Sequence, residues 1–234
     1  MKLLLPILLT ASLFAQDKEY SLDEIYLSKA DTLYYKKFST ETVDGKIYKM
    51  SEEEIKIPLG SIKNGKVEGL WNNWYETGER ASDIMYTNGK KNGRSLTYFK
   101  NGEIQQDAYY EYDSLLTYTE YFEDGKLKTK IKTLGTNKIF YSDVFFKNGN
   151  VNAKTRIDSL NGEGYRILYY EDGRKHQHNF FKNFKSHGVD TSFKDDGLYL
   201  TIEFKNGVQD GWSRGYSGTK PIYGKNVLLV ESFF

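Results

Sequence analysis

Three histidines are the candidates for metal chemistry in this 234-residue chain. His176 and His178 are one residue apart, so on a β-strand they would point to the same side, with His187 beyond the following turn. Imidazole nitrogens in such an arrangement suit zinc or another divalent metal. The equivalent positions in neighbouring segments, however, carry ordinary surface residues, namely Ala81, Asp83, Gln105 and Asp107. This comparison favours a polar strand surface, and we predict no metal site.

Paired carboxylates are the candidates for acid–base catalysis. They stand directly before glycines, at Glu123-Asp124, Glu171-Asp172 and Asp195-Asp196. Aspartate is favoured before glycine in tight turns for backbone reasons, which weakens a catalytic interpretation. The chain has no cysteine and no G-x-S-x-G segment, and its glycines are not arranged as a phosphate-binding loop. We therefore predict that the protein is not an enzyme and binds no cofactor.

The composition favours a thin sheet over a thick core. Hydrophobic residues make up 38% of the chain and aromatic residues 16%, so rings supply much of the apolar bulk. The formal net charge is +1, from 33 basic and 32 acidic residues. This balance excludes a broad electrostatic grip on nucleic acid or on an acidic membrane, and we predict no nucleic-acid partner.

The amino terminus has the pattern of a secretory signal peptide. Lys2 precedes an apolar run over residues 3–9, and the stretch that follows ends in the small residue Ala15. The run is too short to span a bilayer as a helix. We predict a signal peptide over residues 1–15, cleavage after Ala15, export to the periplasm or the cell exterior, and no membrane span in the mature chain.

Turn residues recur with a fixed period. The first turn series consists of glycines 23 or 24 residues apart, at Gly78, Gly102, Gly125, Gly149, Gly173 and Gly197. The second turn series falls between them with the same period, at Gly65, Gly89, Asp113, Thr136, Leu160, Phe184 and Gly207. Asn-Gly and Asp-Gly pairs at these positions are typical of two-residue type I′ turns. Two turns per period predict two strands per repeat, joined up and down.

Aromatic side chains keep the same period. The residue four positions before each glycine of the first turn series is always aromatic, namely Trp74, Tyr98, Tyr121, Phe145, Tyr169 and Phe193. The residue three positions before is Tyr75, Phe99, Phe122, Phe146 or Tyr170, with Lys194 as the exception. Neighbouring strand residues point to opposite faces, so the sequence predicts stacked rings on both faces. We expect the ladder at minus four to be buried, and that at minus three to be half-covered or exposed for binding.

These patterns predict an all-β fold, an elongated antiparallel β-meander of roughly 24-residue hairpin repeats. We divide the mature chain into an N-terminal cap with the first strands (16–60), a repeat array (61–211) and C-terminal cap strands (212–234). Ser21 and Glu24 have the spacing of a capping box, which predicts a short helix in the N-terminal cap.

Residues 60–79 resemble the MORN-repeat variant. They read G-S-I-K-N-G-K-V-E-G-L-W and end in W-Y-E-T-G-E, and residues 88–104 repeat this pattern. The lead-in over residues 33–46 is similar to that of YwqK-family antitoxins. The resemblance is strong over about 33–104 and continues in register to about 211. It implies an antiparallel β-repeat array with a binding role, and its family label implies an antitoxin.

The sequence thus predicts an exported, non-enzymatic binding or scaffold protein that recognises a macromolecule through an aromatic-rich sheet face. We assign partner binding to Trp71, Tyr75, Phe99 and Tyr170, because such rings bury a large rigid area at little entropic cost. The expected partner is a protein, with a glycan as the alternative; the oligomeric state stays open. Two other functions remain, an antitoxin or immunity protein that neutralises a cognate toxin, and an outer-membrane-associated β protein.

Overall fold

About two thirds of the described residues are in β-strands. The computed structural model describes residues 18–134, 139–194, 197–217 and 227–233. These residues form twenty strands and one 3₁₀ turn, Leu22–Glu24, which confirms the all-β prediction. The predicted signal peptide, Thr136 of the second turn series, the Asp195-Asp196 pair and residues 218–226 of the C-terminal cap lie outside the described residues. Within the described ranges, no helix is long and apolar enough to cross a membrane.

The chain divides into two compact units, with the boundary between Trp71 and Asn72. The strands that begin before this boundary are β1 Glu19–Ser21, β2 Ile25–Leu27, β3 Tyr34–Lys36, β4 Gly45–Met50, β5 Lys56–Lys63 and β6 Lys66–Trp74. Strand β1 pairs in parallel with β4, β4 to β6 pair antiparallel in chain order, and β2 and β3 form a separate hairpin.

The second unit is an antiparallel meander. Its strands are β7 Arg80–Thr87, β8 Lys90–Tyr98, β9 Ile104–Glu111, β10 Ser114–Tyr121, β11 Leu127–Leu134, β12 Ile139–Phe145, β13 Val151–Asp158, β14 Gly164–Tyr169, β15 Lys175–Lys182, β16 Lys185–Ser186, β17 Gly188–Phe193, β18 Leu198–Lys205, β19 Val208–Ser217 and β20 Val227–Phe233. Each strand pairs with the strand that precedes or follows it in sequence. The predicted strand order is therefore confirmed.

The first unit holds the large buried aliphatic side chains. Val43, Ile47 and Ile62 are at most 1% exposed, and Ile25 and Leu59 are at most 4% exposed. The predicted capping box is present, since the Ser21 N–H donates to Glu24 Oε2 (2.9 Å) and the Asp23 N–H donates to Ser21 Oγ (3.4 Å). The helix predicted after this capping box is only a single 3₁₀ turn, because Ile25 already has extended backbone geometry.

The two turn series have different geometries. In the second turn series, both central residues have positive φ, as type I′ turns require, at Asn64-Gly65, Asn88-Gly89, Tyr112-Asp113, Asn183-Phe184 and Asn206-Gly207. The prediction is wrong at Leu160, where positive φ falls instead on Gly162 and the Gly162 N–H donates to Asp158 O (2.8 Å) in a longer loop. The type I′ prediction is wrong for the first turn series. There Phe99 N–H donates to Glu103 O (2.8 Å) and Gly102 N–H to Phe99 O (3.0 Å), which closes a three-residue loop with a bulge. Only the glycine of this loop has positive φ, and the Asn101 side chain accepts the Glu103 N–H (3.0 Å).

Cross-strand register defines two faces of the second unit. One line of paired positions runs Asp107, Thr119, Lys130, Asp143, Lys154, Ile167 and His178. We call the face that carries this line the front face and the opposite one the back face. The aromatic residues four positions before the glycines of the first turn series lie on the front face. A β-bulge next to the loop shifts the register by one residue and sets this orientation, as in the pair Tyr121 and Leu127.

The ladder at minus four is not buried, contrary to expectation. All six of its rings are half-buried, and so are the five rings at minus three. The minus-four rings also do not stack directly on one another. They pair across the strands with the residue two positions after the glycine, as Tyr98 does with Ile104 and Tyr121 with Leu127. Described side chains under 9% exposure in the second unit are small and lie on the back face, namely Ser82, Ser95, Ala108 and Ala153. The reason is geometric, since the described strands of the second unit all belong to one sheet and none of them forms a second sheet over the rings.

Candidate functional site: the front face of the second unit

The four rings assigned to partner binding do not form one site. Trp71 packs in the first unit against Gly60, where an added Cβ would lie 2.8 Å from its ring. Tyr75, Phe99 and Tyr170 belong to first-series turns of the second unit, and Tyr170 is several repeats beyond Phe99. All four are half-buried. Their role in partner binding stays a prediction.

Two of these rings hold neighbouring repeats together. The Tyr75 hydroxyl donates to the Tyr98 carbonyl (2.6 Å), and the Tyr170 hydroxyl donates to the Phe193 carbonyl (2.8 Å). In both cases the acceptor lies 23 residues further along, at the minus-four position of the next repeat. These tyrosines therefore have a structural task whatever else they contact.

The three histidines are used in packing and turn contacts. His176 lies 4.4 Å from the Tyr170 ring, His178 lies 4.3 Å from Phe180, and His187 Nδ1 accepts the Asn206 N–H (3.5 Å). Burial lowers the pKa of His178 from its ordinary value of 6.5, the charge of Lys175 lowers it further, and Asp190 opposes both. Across the described ranges, no three His, Asp or Glu side chains are grouped so as to hold a metal ion.

Charges on the front face are paired at its first strands. Arg80 forms an ion pair and hydrogen bond with Asp83, which also accepts the Tyr98 hydroxyl (2.7 Å). Arg94 donates to both oxygens of Asp107, at 3.1 and 2.9 Å. On the front face of β7 to β9, these arginine and aspartate charges therefore neutralise each other in ion pairs.

Cations predominate on the front face over β11 to β13. Lys130, Lys132 and Lys154 are exposed, and no carboxylate of the described residues forms an ion pair with them. Asp143 is paired in register with both Lys130 and Lys154, yet it forms no ion pair with either. Arg156 lies next to Lys154 on this face, two positions along β13. This area therefore has local positive charge in a nearly neutral chain.

Rings alternate with these cations along a second line of paired positions. The line crosses β11 to β15 as Lys132, Tyr141, Arg156, Tyr165 and Phe180. Arg156 Nε donates to the Tyr141 hydroxyl (3.3 Å), and its guanidinium carbon lies 5.8 Å from the Tyr141 ring centre. Tyr165 meets His178 edge-on at 6.0 Å, and Phe180 is 38% exposed. A shallow groove of about 440 Å³ adjoins Phe180 at the end of the line.

The sequence carried a signal for this site that the search for catalytic motifs missed. The fifth residue after the first five glycines of the first turn series is Asp83, Asp107, Lys130, Lys154 and His178 in successive repeats, and the seventh is Met85, Tyr109, Lys132, Arg156 and Phe180. Comparison of equivalent positions shows that aspartate in the first repeats is replaced by lysine in the following ones. The strand register brings the two lysine-containing repeats together on one face, and the sequence alone does not give this register.

Comparison with known proteins assigns no family to the chain. No protein-family model matches it. No curated protein matches it either. The function is therefore argued from the front face itself.

Proposed function

We propose that this protein is an exported, non-enzymatic β-repeat binding protein that recognises a macromolecular partner through the front face of its second unit. The observation that carries the proposal is the group of exposed lysines on β11 and β13 that have no ion-pair partner among the described residues. The same face pairs its charges on β7 to β9. Solubility alone does not require two repeats to place cations side by side.

The rings around these cations support a binding role. Tyr141 and Tyr165 are half-buried, so their positions are held by neighbouring strands while part of each ring stays accessible. Rigid aromatic side chains are effective contact residues, because little rotamer entropy is lost on binding. The resemblance to MORN-repeat variants implies the same general role, and the signal-peptide pattern supports export.

Site-specific photo-crosslinking tests the proposal. A benzophenone amino acid replaces Tyr165 on the front face or, as the matched control, Tyr118 on the back face. Both tyrosines are half-buried strand residues. We expect irradiation in the native cell envelope to yield a discrete macromolecular adduct from position 165 and none from position 118. Equal adducts from both positions, or none from either, would contradict recognition through the front face.

A further inference from the structure

We infer that the partner of the front face is a linear anionic polysaccharide with an acidic group on every second sugar. The inference rests on the proposed function and names the chemistry of the partner. The polymer would cross β11 to β15 roughly perpendicular to the strands. Its acidic groups would face the cations of β11 and β13, and its sugar rings would lie against Tyr141 and Tyr165.

The first argument is that the spacing of the cations on β11 and β13 matches the spacing of acidic groups along such a polysaccharide. Lys130 and Lys154 are separated by the intervening strand β12, and so are Lys132 and Arg156. Two strand spacings place these cations roughly 9.6 Å apart. A pyranose residue is about as long as one strand spacing, so a negative group on alternate sugars repeats with the period of the cations.

The second argument is the alternation of cation and ring. Along the line from Lys132 to Phe180, a polymer meets a cation, a ring, a cation and two further rings at successive strands. Sugar C–H groups pack on aromatic faces, whereas carboxylate or sulfate groups pair with Lys and Arg. Both kinds of contact are thus available at the intervals at which the polymer presents them.

Two other polyanions fit the face less well. An extended acidic peptide presents side chains on one side about every 6.8 Å, which does not match the cation spacing. Single-stranded nucleic acid carries a charge on every nucleotide and binds in a groove whose positive charge follows the backbone. Here the cations of each line lie on alternate strands, with Asp143 or Tyr141 between them.

Isothermal titration calorimetry of the full mature chain tests the inference with size-defined hyaluronan, which carries a carboxylate on alternate sugars. We expect saturable binding of hyaluronan and none of dextran, a neutral polysaccharide. The triple variant Lys130→Gln, Lys132→Gln, Lys154→Gln is expected to bind about tenfold more weakly. The matched control is Lys90→Gln, Lys185→Gln, which removes exposed lysines at strand ends and is expected to bind like the wild type.

A gain-of-affinity variant separates recognition from misfolding. Asp143→Asn removes the carboxylate between Lys130 and Lys154, and we expect it to tighten hyaluronan binding about threefold. Absence of hyaluronan binding, or equal binding by the triple variant, overturns the inference.

Polyglutamate and oligothymidylate distinguish the other partner classes. If either binds more tightly than hyaluronan and loses affinity in the triple variant, the partner is a different polyanion. Recognition through the front face then stands, and the polysaccharide inference fails. If position 165 also gives no photo-adduct, both proposals fall.

Discussion

Hydroxyl groups of two turn tyrosines connect successive repeats. Tyr75 and Tyr170 each donate to a backbone carbonyl of the next repeat, whereas the equivalent residues Phe99, Phe122 and Phe146 have no hydroxyl. We expect Tyr75→Phe and Tyr170→Phe each to lower the free energy of unfolding by about 1 kcal/mol, because a partly buried carbonyl loses its donor. Urea denaturation measures the change. Tyr112→Phe, at a residue 56% exposed, is the control and is expected to have no effect; equal effects at all three positions would contradict the assignment.

The imidazole of His178 gives the fold a pH dependence. Burial lowers its pKa in the folded chain, so the unfolded chain binds the proton more readily. Its contribution to stability is therefore present above the ordinary pKa of 6.5 and is lost as the pH falls through the lowered value. We expect His178→Gln to flatten the stability profile where the pH falls below 6.5. Thermal unfolding at several pH values measures this, and an unchanged slope would rule out His178 as the source.

Glycines in the strand elements serve two separate needs. At Gly125, φ is +78° but an added Cβ would meet nothing within 4 Å. At Gly164, φ is not in the left-handed region, but an added Cβ would lie 1.9 Å from the Arg156 carbonyl oxygen. The first glycine is required by its turn and the second by close approach of a neighbouring strand.

The two needs predict different costs. We expect Gly125→Ala to destabilise the protein by about 1 kcal/mol, through backbone strain alone. Gly164→Ala should cost about 3 kcal/mol, since β13 and β14 must separate to admit the methyl group. Denaturant titration of the two variants checks the order. A larger loss for Gly125→Ala would mean that the close approach at Gly164 is wrong.

The strand elements were predictable from the sequence to different degrees. The Asn-Gly pairs at 64–65, 88–89 and 206–207 form the expected type I′ turns. Asp124 also precedes a glycine, but its side chain accepts the Lys126 N–H (3.2 Å) and supports a longer loop. The dipeptide alone does not distinguish these two hairpins, because Asn and Asp favour both for different reasons.

At the scale of the whole molecule, the constant repeat predicts that a unit can be removed. Deletion of residues 79–102 joins Gly78 to Glu103, and Glu103 is equivalent to Glu79. The shortened chain should fold with a β-rich circular dichroism spectrum, lower stability and a smaller denaturant m-value, because each hairpin contacts mainly its neighbours. Loss of all folded structure would show that the array depends on contacts that the repeat does not supply.

The repeat period predicts the strand order of the molecule but not the composition of its front face. Lys128 and Lys130 alternate as if they shared a face. The bulge at Lys128 instead turns its ammonium group to Glu120 (2.8 Å) and the Phe122 ring (6.0 Å). Lys130 and Lys154 come together because two equivalent strands are in register. Bulges and register depend on backbone pairing, so residue spacing alone does not fix them.

Recognition of an anionic polysaccharide through the front face is tested most directly by NMR chemical-shift mapping of residues 16–234 with size-defined hyaluronan. We expect shift changes at Lys130, Lys132, Lys154, Arg156 and Tyr165 that saturate together. The compensated charges Arg94 and Asp107 and the back-face residues Ala108 and Tyr118 should keep their shifts. Changes confined to β7–β9, to the back face or to the first unit would contradict the account, as would a spectrum that the polysaccharide leaves unaltered.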